Sequence, residues 1–402
     1  MASPLLESRD GRLLLLSQAA SFLAHGISSV ALPWLVLDDH GSRSAAGLVL
    51  TFTTLPYVVF GLAAGVIGDR LPSRRVIWVT HAAQALVALA VPVWALLDTP
   101  PVLFVLGAAF AIGAGRVFSD AAVFGAVARV VGRARMLHGQ ATLGAAWAVG
   151  LLAGPALGGA LIAAIGPARC LIVEAAALGL AAAIVRAMRL EAATSVEPVP
   201  AREIVREGLR TIFGDPVLRS VTIVGLAWSA AEAGSWGLAV PLLRDELGLG
   251  STQAGIVLGA GAAMGILASP LVGALDARIG GLRTLLVGVP LSGVAVAALG
   301  VAPGFAVALV AYCTMELCVA VTTAAYIGER QRRASLRLQS TVGIFGRMLV
   351  MLALATGSAV ASALAALVSL QALYLGMAAL TVAVAVVGGP ALLRHARAPA
   401  GA

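Results

Sequence analysis

The sequence predicts an all-α integral membrane protein of about twelve transmembrane helices. Hydrophobic residues make up 60% of the 402 residues and charged residues only 11%, against roughly 25% charged in soluble domains. The mean hydropathy is +0.98. Apolar runs of roughly 20 residues, the length needed to cross a bilayer, recur with only short polar breaks between them. A water-soluble fold is excluded, and twelve crossings leave no room for a large soluble domain.

The runs between charged or Pro/Gly breaks predict helices over 12–37, 45–68, 76–97, 102–125, 138–165, 170–189, 219–242, 252–275, 283–301, 304–327, 339–365 and 369–393, numbered here 1 to 12. Arg9 and Arg12 ahead of the first run resemble the start of a secretory signal. The run continues to Leu37 without a cleavage site of small residues, so it reads as a retained helix. Starting helix 1 in the cytoplasm leaves Arg43, Arg169 and Arg244 outside and puts the arginine clusters at 70–75, 129–135 and 278–283 inside. By the positive-inside rule both termini are expected in the cytoplasm, in a bacterial inner membrane. The longest polar stretch, 190–218, carries Pro198, Pro200 and an amphipathic segment over 201–213. It reads as a cytoplasmic linker on the membrane surface, between an N-terminal six-helix half (1–189) and a C-terminal one (219–402).

The net charge of +8 comes with 27 basic residues, all arginine. They sit in short clusters between apolar runs, which is membrane topology rather than a nucleic-acid footprint. The absence of lysine excludes a Walker A phosphate loop and a Schiff-base site. No His-Glu-x-x-His, no Gly-x-Ser-x-Gly and no cluster of metal ligands is present, so no catalytic residue, cofactor or metal is expected. Cys170, Cys313 and Cys318 lie in apolar segments and read as small core residues.

A weak internal repeat accompanies the two halves. Gly65, Arg70 and Arg75 after helix 2 match Gly273, Arg278 and Arg283 after helix 8 at one constant offset, with the carboxylate slipped by one place to Asp276. Duplicated halves meeting at a midplane site are typical of transporters.

The segment from Gly65 through Asp69, Arg70, Arg74 and Arg75 resembles the loop 2–3 motif of the major facilitator superfamily, an Asp-Arg pair followed by two basic residues. In that family the loop locks the inner side of the protein, a role suited to ion pairs that modest energies can release. Helix 5 carries Gly150-Leu-Leu-Ala-Gly154-Pro155-Ala-Leu-Gly158-Gly159, which is similar to the family's antiporter motif. Gly150, Gly154 and Gly158 form one stripe without side chains, and Pro155 bends the helix. The resemblance implies that this stripe packs on helix 8, where Gly255, Gly259, Gly261 and Gly265 offer a matching surface. With Arg206-Glu-Gly-Leu-Arg210 and Asp215-Pro216, the motifs resemble the bacterial exporter branch that includes enterobactin and macrolide exporters. That resemblance implies the major facilitator fold and a monomer that exchanges protons for a small-molecule substrate within the lipid bilayer.

Ionisable side chains inside a membrane are costly and mark pathways. His25, Arg116, Glu232 and Glu316 fall roughly 17–21 Å along helices 1, 4, 7 and 10 at 1.5 Å per residue. All four are near mid-depth, and in the resembled family these four helices line the central cavity. They are the candidate substrate and proton site. Trp228 and Trp236 flank Glu232 at helical spacing, which puts an anion between two aromatic rings, a setting for a lipophilic cation. Packing between helices for Trp228 and the outer aromatic belt for Trp236 are the plainer assignments. Asp120, one turn after Arg116, reads as a partner for the loop arginines. Glu174, near the outer end of helix 6, reads as reaching the headgroups. Arg347 on helix 11 reads either as a cavity cation or as a partner for a buried glutamate.

Export of a hydrophobic cationic or zwitterionic compound against protons is the first reading. Export of an anionic siderophore-like metabolite, or uptake, is the second, with Arg116 and Arg347 holding the anion; an intramembrane enzyme or sensor is a third. For the gate motif, Asp69→Asn is expected to reach the membrane at wild-type abundance and to lower transport severalfold, because the loop loses the carboxylate that pairs with arginine. Dye efflux from cells matched for membrane abundance checks this, and undiminished efflux removes the gate role.

Overall fold

A computed structural model describes residues 4–132, 135–189, 201–333 and 339–396, and among them every regular element is helical. A peptide group in hydrocarbon finds no water, so each N–H and C=O must be satisfied within its own helix. Among the described residues twelve long helices result: α1 Arg9–His40, α2 Arg43–Arg70, α3 Ser73–Ala95, α4 Val102–Val131, α5 Met136–Ile165, α6 Pro167–Arg186, α7 Pro216–Gly237, α8 Ser251–Ile279, α9 Gly281–Gly300, α10 Phe305–Arg333, α11 Gln339–Leu364 and α12 Leu370–Ala396. Eleven of them are long and apolar enough to cross a membrane. The one below that mark, α7, is long enough but carries Arg219, Ser220, Thr222, Ser229, Glu232 and Ser235.

Local chemistry sets the ends. Ser8 and Ser42 cap α1 and α2 by accepting from the amides of Gly11 (3.0 Å) and Ala45 (3.2 Å). Asp215 caps α7 through Val217 (2.7 Å) and Leu218 (2.8 Å), with Pro216 in the first turn. The predicted continuation of α7 to residue 242 is corrected. Pro241 has no N–H to offer the Gly237 carbonyl, so the helix stops at Gly237 and resumes as a short turn, Ala239–Pro241, followed by a π-turn, Leu242–Glu246.

The chain forms two compact units, Met1–Pro198 with Gly250–Gly259, and Val199–Leu249 with Ala260–Ala402. In the first, α1 packs on α5 and α6, α2 on α4, and α3 on α4 and α6. In the second, α9 packs on α10 and α12, and α7 on α11 and α12. The linker helix, Ala201–Gly214, turns its apolar side to protein: Val205 and Ile212 share a core with Phe345 and Leu349 of α11. Gly208 opens the approach, since a Cβ there would sit 2.7 Å from the Phe345 ring. The sequence pattern alone had suggested a membrane-surface helix for this segment.

The glycine stripe of α5 faces a different helix from the one expected. A Cβ on Gly154 would lie 2.5 Å from Gly26 Cα and 3.0 Å from the Leu23 carbonyl of α1, one on Gly150 2.5 Å from Phe22 Cβ, and one on Gly158 3.0 Å from the Ile27 carbonyl. Gly150, Gly154 and Gly158 therefore form the α1 crossing. The start of α8 is met by the adjoining face of α5: Gly159 lies against Ser251 and Gly255, Pro155 against Gly255, and Leu152 against Gly259. Residues 152, 155 and 159 are rotated from 150, 154 and 158 by the helical pitch, so one helix serves two close neighbours. At the loop motif, Gly65 has nothing within 4 Å, and the close-packed glycine is Gly68, whose Cβ would lie 3.3 Å from Ala121.

Gly154→Leu is expected to destabilise the protein by several kcal/mol, more than ordinary core overpacking of ~1–3 kcal/mol, because backbone rather than a movable side chain is in the way. Gly179→Ala, at a site with nothing within 4 Å, is expected to be neutral. Thermal unfolding in detergent compares the two, and an unchanged midpoint for Gly154→Leu removes the close crossing.

Candidate functional site

The candidate residues fall into one polar cluster in each unit. In the second unit, α7 presents Trp228, Glu232 and Trp236 at successive turns. Glu232 is buried, 1% exposed. The Trp228 indole N–H points to Glu232 Oε1 at 3.3 Å and donates to Ser292 Oγ of α9 at 3.1 Å. Ser292 donates its own O–H to the Val289 carbonyl at 2.8 Å. Glu232 Oε2 has no hydrogen-bond partner among the described residues.

Trp236 departs from the sequence reading. Its N–H donates to Glu316 Oε1 of α10 at 2.7 Å, so the second indole serves the second glutamate. An indole has one donor and no acceptor, and a carboxylate oxygen is its strongest available partner. Tyr312, one turn before Glu316, lies beside the same carboxyl, and the two glutamates feel each other's charge. Gly261 of α8 packs against Glu316, where an added Cβ would sit 2.9 Å from its Cγ. Tyr374 of α12 holds α7 by donating to the Ser235 carbonyl at 2.7 Å. Among the described residues no ion pair engages Glu232 or Glu316. The cluster is thus two acids dressed by neutral donors.

In the first unit, His25 of α1 is partly buried and lies in the field of Arg116 of α4 and of His81 of α3. His81 is 1% exposed, with Nε2 3.4 Å from the Gln18 amide. Gln84 of α3 packs on Gly115, leaving no room for a Cβ there. Arg116 Nε, His81 Nδ1 and Gln84 Oε1 have no hydrogen-bond partner among the described residues. One turn beyond Arg116, Asp120 accepts from Tyr57 of α2 at 2.7 Å. Gln18, His81 and Gln84 were not candidates from sequence: one buried His or Gln among many apolar residues is the ordinary pattern of a satisfied core. The His81/Gln84 spacing on one helix face was the available signal.

Arg70 and Arg75 are exposed, and Arg74 donates to the Arg186 carbonyl at the end of α6 at 2.5 Å, a favourable use of a cation at a helix C-terminus. The side chain of Asp69 lies outside the described residues. Its counterpart in the repeat, Asp276, holds Arg332 of α10 through two bonds, 2.8 and 3.2 Å, and Arg332 also reaches Glu329 at 2.7 Å. The pair with Asp276 is about half exposed and stabilises by no more than ~1 kcal/mol, weak enough to open and close. Arg347 is exposed on α11. Glu174 does not reach a headgroup layer: it is wholly buried in α6.

A family model described as the Major Facilitator Superfamily matches residues 14–347. A multidrug efflux pump Tap of Mycolicibacterium fortuitum is 35% identical over 233 residues, 54% of this chain and 56% of that protein. The Tap pump of Mycobacterium tuberculosis strain H37Rv is 32% identical over 232 residues, 54% of each. The matched part is thus about half the length of these relatives. Among solved structures, the nucleoside transporter NupG superposes with a TM-score of 0.78 at 10% identity, covering 96% of this chain and 99% of that one. A bacterial homologue of the iron transporter ferroportin, inward-facing, superposes with a TM-score of 0.72 at 15% identity, covering 97% and 99%. These structural likenesses establish the fold.

Trp236→Phe removes the one N–H given to Glu316 while keeping an aromatic ring. The expected cost is ~1–3 kcal/mol of stability, read by denaturant titration in mixed micelles. The same change at Trp147, exposed on α5, is expected to cost nothing measurable; equal effects at both positions mean that the Glu316 bond contributes no stability.

Proposed function

We propose, from the premise that this chain belongs to the major facilitator superfamily, that it is a secondary active exporter of a hydrophobic cationic or zwitterionic small molecule, driven by proton entry. The observation that carries this is the Glu232–Glu316 pair, two acids in the helices whose hydrogen-bond donors are neutral side chains and which no arginine neutralises among the described residues. An acid in such a setting is stable as the neutral form, or as the anion when a mobile cation accompanies it. Proton and cation then compete for one site, which is the thermodynamic content of antiport. Trp228 and Trp236 supply flat apolar surface for a lipophilic cation. The relatives matched over half their length are named multidrug efflux pumps, in accord with this assignment.

In the proposed arrangement residues 1–189 and 219–402 are the two six-helix halves, joined by 190–218, with both termini in the cytoplasm of a bacterial inner membrane, and the monomer is the working unit. His25 and Arg116 are the candidate substrate and proton residues of the first half. Asp69, Arg70, Arg74, Arg75 and Asp120 form the cytoplasmic gate, and the α5 motif holds the α1 and α8 crossings. An anionic substrate is the second reading, favoured by one observation: Arg116 Nε has no hydrogen-bond partner among the described residues, so the first unit has a donor to offer a carboxylate or phosphate.

The sign of the pH dependence separates these readings. A cation that pairs with Glu232 requires the carboxyl to lose its proton, so binding of a fluorescent lipophilic cation is expected to strengthen as pH rises. Glu232→Gln fixes the neutral form; its binding is expected to be weaker and flat with pH, and cation-driven proton release is expected to fall. Asp98→Asn, in an exposed loop, is the neutral control. Binding measured from about pH 5 to about pH 9 with purified protein checks this. A wild-type pH profile in Glu232→Gln moves the coupling role away from Glu232, and tighter binding of anions at low pH supports the second reading.

A further inference from the structure

Glu174 takes no part in the site described above, yet among the described residues it is the most completely enclosed carboxyl of the first unit. It lies two turns into α6 and is 0% exposed. Neither Oε1 nor Oε2 has a hydrogen-bond partner among the described residues. Its surroundings can be named helix by helix. From α1 the facing polar group is the Ser28 hydroxyl, which itself donates to the His25 carbonyl at 3.2 Å. On α6, Cys170 is one turn away, with Sγ 3.8 Å from the Gly158 carbonyl of α5. The next residue of α6, Ala175, shares a core with Ala88 of α3 and Ile112 of α4. Ser28 and Cys170 are polar groups set against Glu174, and among the described residues no ion pair engages it.

A carboxylate in that place would have no counter-charge, no donor bonded to it and no water from a surface, which is the least favourable setting an anion can have. The neutral acid fits: its O–H needs a single acceptor, and the Ser28 hydroxyl is at hand. A purely structural position would be filled at lower cost by leucine or glutamine. We propose that Glu174 is a second proton-binding site of this transporter, carrying its proton while α6 is packed on α1 at Ser28 and releasing it when that packing opens. The proposal rests on the proton-coupled reading given above for the chain as a whole. On release the O–H bond breaks, the proton passes to water, and the carboxylate keeps the electron pair. The linkage follows from packing. α1 is locked to α5 at Gly26, where a Gly154 Cβ would meet backbone, and it carries both Ser28 and, one turn before it, His25. A movement of α1 large enough to wet Glu174 therefore also moves His25 relative to Arg116 and His81. Protonation of Glu174 favours the closed packing and deprotonation the open one, by linkage.

Two measurements test this, with Glu174→Gln as the fixed neutral form and Glu174→Asp as the conservative replacement. Infrared spectroscopy of the protein in phosphatidylethanolamine/phosphatidylglycerol nanodiscs reads neutral carboxyl groups directly. The wild type is expected to show a carboxylic-acid carbonyl band that is absent from Glu174→Gln, and that band is expected to decline on raising the pH from about 5 to about 9 or on adding tetraphenylphosphonium. Identical bands in wild type and Glu174→Gln, or a Glu174 band unmoved by both pH and cation, overturn the proposal. In proteoliposomes, Glu174→Gln is expected to release one proton fewer per tetraphenylphosphonium moved, and Glu174→Asp to recover it. An unchanged proton count in Glu174→Gln also overturns it. If the wild type moves no cation, the exporter reading falls, and the infrared titration still decides whether Glu174 binds an exchangeable proton.

Discussion

A hydrocarbon layer about 30 Å thick offers a polypeptide no hydrogen bonds, and this single property of the solvent organises the whole molecule. It forces the backbone into helices long enough to satisfy themselves, hence the repeated elements of 20 to 32 residues. It removes the hydrophobic effect as a reason for helices to associate, since a lipid tail is as apolar as leucine. What remains to bring helices together is close van der Waals contact and polar pairing. The α1–α5 crossing at Gly26 and Gly154 uses the first means, and the Trp236–Glu316 bond uses the second.

The same solvent property makes each interior polar side chain informative. In water, Glu232 and Glu316 would be unremarked surface acids. In a membrane-spanning bundle each must be neutral, bonded or accompanied by a cation. The observed partners are indole and phenol groups, which lower the cost of an anion without cancelling its charge. A permanent arginine partner would instead hold the carboxyl in its charged form. Asp276 and Arg332 show the opposite balance, charge against charge about half exposed, where water screens an ion pair until it is easily broken.

Pro155 and the glycines around it show how much a short motif can do when it has no side chains to place. One face of α5 holds α1 and the adjoining face meets the first turns of α8. Substitution on either face would meet backbone, which cannot rotate away as a side chain can. A helix clamped on two sides has little room to shift against either neighbour, and α1, which it holds, carries the polar residues His25 and Ser28.

Sequence by itself determined the helices and their order, because crossing a bilayer is decided by the transfer energy of one continuous run and needs no knowledge of neighbours. It also determined several ends, since Ser8, Ser42 and Asp215 act within three residues of themselves. The four mid-depth groups His25, Arg116, Glu232 and Glu316 could be picked out for the same reason, each being an ionisable side chain inside its own apolar run. Tertiary structure alone decided which partner each face met. Gly150, Gly154 and Gly158 are one stripe in any helix, but whether α1 or α8 lies on it depends on a rotation that no local signal encodes. Trp236 stands equally near Glu232 along α7, and only the approach of α10 brings Glu316 to its N–H. Glu174 has the spacing of a residue able to reach a headgroup, and only the packing of α1 and α6 shows it enclosed. Lipid solvates every apolar face of a helix alike, so the identity of a face's neighbour is settled by shape and polar pairing among distant segments, and those exist only once the chain has folded.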